Sequence, residues 1–114
     1  MTDPAHEIHS LLKTLPVACP CGDSHRLISQ ADRLSFHVVD ISEDAKAHYH
    51  KRLTEYYYVL GGSGDIEMNG VRHPIQEGDL VVIPPNVRHR AIGKLRILNI
   101  IEPGFDKSDE HFDE

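Results

Sequence analysis

From Leu27 to Glu102 the chain alternates short apolar, β-branched runs with Gly, Pro, Asn and Asp at near-regular spacing. That texture predicts an antiparallel all-β sandwich or barrel. Strands are expected at 27–29, 34–41, 47–50, 54–60, 64–68, 71–74, 79–83, 88–92 and 95–102. Asn69-Gly70, set between Ile66-Glu67-Met68 and Val71-Arg72-His73, is the dipeptide whose positive φ angles suit a two-residue type I′ hairpin. The unbroken run Leu80-Val81-Val82-Ile83 predicts a strand covered on both faces. Pro84-Pro85-Asn86 stops it, because proline cannot donate to a ladder.

Both ends differ from this middle. Residues 1–26 mix charge, histidine and proline and read as an irregular N-terminal arm, with a turn or two of helix around Ile8-His9-Ser10-Leu11-Leu12 after Asp3-Pro4. Residues 105–114 form an acidic tail (Asp106, Asp109, Glu110, Asp113, Glu114) expected to be solvated. The organisation read from the pattern is thus an arm at 1–26, one barrel at 27–104 and a tail at 105–114.

The 114 residues suffice for one domain with its own core. A formal net charge of -6 argues against binding nucleic acid, which needs a basic face, and points to a small-molecule ligand instead. No apolar run is long enough to span a membrane, and no signal-peptide pattern opens the chain. A cytoplasmic location is expected. Cys19 and Cys21 flank Pro20, where a ring across one intervening residue is expected to be strained, so both are read as reduced thiols. A soft-metal site using them with His25 lacks a partner pair of cysteines.

Chemistry concentrates in residues 47–62. His48 and His50 stand at i and i+2, so a strand turns both imidazoles to one face, and Glu55 can join them after a tight loop. His89, beyond the Pro84-Pro85-Asn86 turn, can return as a fourth ligand. Three imidazoles and a carboxylate suit a first-row divalent metal and not the oxygen-seeking Ca²⁺ or Mg²⁺. His6, His9, His25, His73 and His111 lack such support and are read as surface residues; His37 is open between core and pocket. By alternation Tyr57 shares the face of Glu55 and can line the pocket as a tentative catalytic residue. Tyr56 and Tyr58 then face outward, toward a partner sheet or subunit, and Lys51 and Arg52 form the solvated loop tip.

These stretches resemble the two signature motifs of the cupin superfamily, in its small single-domain form. His48-x-His50, four residues, Glu55, six residues and Gly62 match the first motif, with Ser42 at the leading glycine position. Gly78, five residues, Pro84 and then His89 match the second, with Asn86 where a glycine and Gly93 where an asparagine is usual. The resemblance implies a small antiparallel jelly-roll barrel of two packed sheets. It also implies one divalent transition metal per chain (Fe, Mn, Ni, Zn or Cu) held by His48, His50, Glu55 and His89, and a homodimer. The function it implies is a mononuclear metalloenzyme, of dioxygenase or isomerase type, acting on a small chelating organic or sugar-like molecule. A non-catalytic module binding a small molecule or carbohydrate stands as the alternative.

Overall fold

The computed structural model describes residues 5–42 and 45–112. The Asp3-Pro4 helix start and tail residues Asp113 and Glu114 lie outside them. Among the described residues the strands are β1 (Pro16–Cys19), β2 (Gly22–Ile28), β3 (Ser35–Ile41), β4 (His48–Tyr49), β5 (Thr54–Met68), β6 (Val71–Gln76), β7 (Leu80–Ile83), β8 (His89–Glu102) and β9 (His111–Phe112). All are joined in one antiparallel sheet in the order β1-β2-β3-β8-β4-β9, with β5 pairing β6, β7 and β8. The expected two packed sheets are therefore one continuous sheet curled on itself, because β5 and β8 run through both halves.

Each of those long strands was expected as two. β5 joins 54–60 to 64–68, and β8 joins 88–92 to 95–102. The intervening glycines bend the ladder without ending it: the register shifts between Val59 and Gly61, and Gly64 lies opposite Gly93. Gly93 has φ +116, and a Cβ there would meet Gly64 Cα and Ser63 O at 2.9 Å, so asparagine does not fit at this position. Asn69 and Gly70 have φ 49 and 82, as the type I′ hairpin requires.

The alternation in β5 points Glu55, Tyr57 and Val59 inward, where Val59, Ile66, Ile83, Ala91 and Ile97 make a dry core. Tyr58 faces out. The expectation of a doubly covered Leu80–Ile83 fails: Val81 and Ile83 are buried, but Leu80 and Val82 are 59% and 50% exposed. β7 pairs only with β5, and among the described residues no second layer covers its outward side chains Leu80 and Val82.

The arm is not irregular. After a single 3-10 turn at Leu11–Lys13, β1 and β2 add two strands beside β3, with Arg26 opposite His37. The Cys19-Pro20-Cys21 turn between them holds the cysteine Cα atoms 5.3 Å apart, within ordinary disulfide range, and the sulfurs are bonded. The expected reduced thiols are thus corrected: the turn spreads the two backbones far enough to close the ring. His25 Nδ1 instead bonds Thr14 O, and its Nε2 faces Asp40 at 3.4 Å, so no soft-metal trio forms.

The tail is not solvated either. β9 pairs with β4, and Asp109 is 4% exposed. Its carboxylate accepts from the backbone N–H groups of Lys51 (3.0 Å), Arg52 (2.9 Å) and Leu53 (3.2 Å), closing the loop that follows His50. Burial pushes this carboxyl up, but those donors and the His111 imidazole outweigh it and hold it below the usual carboxylate value.

Asp109→Ala leaves three N–H donors without their acceptor and should cost about 2 kcal/mol at neutral pH. Because the folded-state value is depressed, the wild-type contribution is complete above the unfolded value and is lost as pH falls below roughly 4. Denaturant melts of both proteins between neutral and acidic pH should show the gap closing in acid. A constant gap would remove the carboxylate from the account.

Candidate metal centre

The ladders bring the two motifs together. His48 on β4 lies directly opposite His89 at the start of β8, and Glu55 on β5 lies opposite Ile83 of β7 and Ile101 of β8. Asn86, at φ 68, supplies the left-handed turn for which glycine is usual, and its N–H donates to His50 O at 2.6 Å. His48, His50, Glu55 and His89 are all buried, and their ligand-type atoms lie within 4.8 Å of one another. Among the described residues this group could hold a metal ion.

Each histidine has one nitrogen already engaged. Nδ1 of His48 meets Lys46 O at 3.1 Å, that of His50 meets Asp109 O at 2.8 Å, and that of His89 meets Val87 O at 2.9 Å. A carbonyl only accepts, so each Nδ1 carries a proton and each ring is turned with Nε2 inward. Glu55 Oε2 takes a 2.6 Å bond from Asn99 Nδ2, which leaves Oε1 for the centre. There His50 Nε2 and His89 Nε2 stand 2.8 and 2.9 Å from Oε1. Nevertheless all three atoms are buried without a properly directed hydrogen bond. Three nitrogens and one carboxylate oxygen, each oriented from behind, and two of the nitrogens and the oxygen unsatisfied in front, fit a first-row divalent cation.

The electrostatics agree with a ligand set. Burial, helped by the neighbouring His89, pushes His48 down to about 4 and keeps it neutral. For His50 burial acts downward too, but the Glu55 carboxylate prevails and raises it. Burial works against ionising Glu55, yet the facing imidazoles of His50 and His89 hold it well below its usual value.

Tyr57 lies where alternation predicts: buried on the Glu55 face, its ring 5.9 Å from that of His89. Burial first, then the Glu55 and Glu110 carboxylates, push its hydroxyl well above 10. His37 is settled as a chamber residue, with Nε2 3.0 Å from Ser29 Oγ and its ring 5.1 Å from that of Phe105. Burial lowers it to about 4.

Inside these side chains is a chamber of about 20 Å³, room for roughly one water. Outside it opens a cleft of about 950 Å³ between β1, β2 and the returning tail. Arg26, Glu110 and Cys19 line both spaces and so form the neck between them. Asn99, Arg26 and Glu110 were missed by sequence reasoning. Asn99 carried a legible signal, as the polar break in Leu98-Asn99-Ile100, whereas Arg26 and Glu110 sit in stretches whose patterning gave no sign of docking.

A family model described as a cupin domain matches residues 35–101. The chain is similar to Protein SchB of Streptomyces halstedii, 38% identical over 53 residues; the match takes in 46% of this chain and only 38% of SchB. A crystal structure of a protein from Planctomyces limnophilus aligns with a TM-score of 0.86 and 37% identity over 95% of this chain and 97% of that one. The structure of Pac13, a nucleoside dehydratase of Streptomyces, aligns at 0.83 with 20% identity over 96% and 95%.

In metal-free protein, nitrogen-15 NMR should show His48 neutral with its proton on Nδ1 until the pH nears 4. His50 should instead take up its proton above the ordinary 6.5. A His48 that titrates like an exposed imidazole would contradict this arrangement of the centre.

Proposed function

The chain belongs to the cupin family, and from that membership and its converging side chains we propose that His48, His50, Glu55 and His89 hold one divalent transition metal in a small-molecule enzyme. The ion is Fe, Mn, Ni, Zn or Cu, and the reaction is acid–base chemistry, isomerisation or loss of water, on an oxygen-rich organic substrate. The observation that carries this reading is Glu110. Its carboxyl sits half-buried in the neck between cleft and chamber, and burial raises its pKa despite nearby His50 and Arg26. A carboxyl so placed is the separate proton carrier that the four ligands do not provide.

Within this reading a divalent cation held by His48, His50, Glu55 and His89 would supply Lewis acidity toward a carbonyl or hydroxyl oxygen of the substrate. Glu110 takes a proton from a substrate carbon or hydroxyl at one Oε and returns it at the next atom along, or hands it to the departing hydroxyl as the C–O bond breaks, so that water leaves. Tyr57, its hydroxyl kept protonated, donates a hydrogen bond and does not serve as a base near neutral pH. Leu53, Ile101 and Phe105 wall the chamber and limit water there. Dehydration, the activity named for Pac13, belongs to this reaction class, so uridine-type nucleosides join sugar-like molecules among the compounds to assay. Dioxygenase chemistry and binding without turnover are the readings the assay sets against it.

Protein purified without added metal should carry about one transition-metal ion per chain by elemental analysis, and His50→Ala should lose it while keeping its β circular dichroism. In assays of each metal form, Glu110→Gln should lower kcat on the order of 10²–10⁴-fold and leave metal content unchanged. Oxygen uptake with an enol or diketone would replace this reading with a dioxygenase. Saturable binding of a compound that is never converted would replace it with a binding module.

For the assembly we propose a homodimer built on the outward face of β5 and β7, where Tyr58, Leu80 and Val82 are 43%, 59% and 50% exposed. Light scattering should give twice the chain mass, and Val82→Asp should reduce it to one chain. A single-chain mass for the wild type would end the proposal.

A further inference from the structure

Arg26 stands in the neck between chamber and cleft. It lies on β2, and its guanidinium carbon sits 4.6 Å over the Phe105 ring, which fixes the plane of the group. Its Nε is fully buried and has no hydrogen-bond partner. Among the described residues Arg26 makes no ion pair, although Glu110 lines the same neck. The guanidinium is half-buried, so its Nη side stays within reach of the cleft, and its planar fork matches an oxyanion through two parallel N–H donors. The cleft it faces adds Lys46 and Lys107 against Asp23 and Glu110, so three cations meet two carboxylates there.

The geometry points to Arg26 as the anchor for an anionic group of the substrate, a compact oxyanion that is either a carboxylate or a phosphate monoester. This rests on the reading of chamber and cleft as one active site. The anion docks at the neck, and the remainder of the molecule reaches past Glu110 toward the four ligands. Arg26 thereby sets substrate class: an acid or a phosphate ester is retained, and the neutral analogue is not. Stacking on Phe105 makes the site specific for the guanidinium, since a lysine ammonium has no fork to present.

The test follows the Arg26 Nε–H signal by NMR in the metal-loaded protein during separate titrations with acetate, inorganic phosphate, glucose and sodium chloride. Acetate or phosphate should shift it saturably, and whichever binds more tightly names the group. Glucose and chloride should not. Thermal-shift titrations with the same anion should show binding weakened about tenfold or more in Arg26→Gln and Arg26→Lys, and little changed in Lys13→Ala. No saturable shift, an equal shift with chloride, or full binding in Arg26→Gln would overturn the assignment. His50→Ala separates the two readings. Anion binding that persists without metal supports Arg26 by itself, and intact metal with no anion binding sinks Arg26 while leaving the metal centre standing.

Discussion

A buried carboxylate has to be compensated, and Glu55 is the constraint that the interior of this barrel is arranged around. Its charge sits among apolar strands, with Ile83 and Ile101 on its flanking neighbours. One oxygen is satisfied by Asn99, and the other faces two imidazoles. Each imidazole is locked from behind by a backbone carbonyl, so the freedom of the site lies only at its centre. A divalent ion is the compact way to satisfy three inward nitrogens and one oxygen together.

That arrangement needs the long β5–β8 ladder. It runs from Thr54 opposite Glu102 to Met68 opposite His89, placing Asn99 beside Tyr57 and His89 at the far end. The glycines let both strands bend without losing register, and Asn86 turns the second motif back onto the first. A broken ladder would leave Glu55 and His89 on separate pieces of sheet.

The mouth is built from the two ends of the chain. β2 brings Arg26, and the tail brings Phe105 and Glu110, with Asp109 tying the tail to the His50 loop. One aspartate therefore both holds the His50 ring, through its carbonyl, and closes the loop that follows it, through its carboxylate. The disulfide between Cys19 and Cys21 completes the same neck.

What could be read in the sequence was local or periodic. His48-x-His50 and Glu55 declare themselves because a strand of period two puts them on one face, and Asn69-Gly70 because its turn demands positive φ. The alternation of β5 likewise placed Tyr57 inside and Tyr58 outside. The burial of Leu80–Ile83 was misjudged because an apolar run states that a strand is apolar and says nothing of how many layers cover it. Asp109, Glu110 and Arg26 were invisible for a related reason: a charged residue in a polar end looks solvated until a distant backbone supplies donors or a ring supplies a stacking face. Residue spacing by itself picked out the four side chains, His48, His50, Glu55 and His89, that the fold brings together. Only the tertiary structure decided what surrounds them, because burial and pairing across fifty or more residues are properties of contacts that no local pattern encodes.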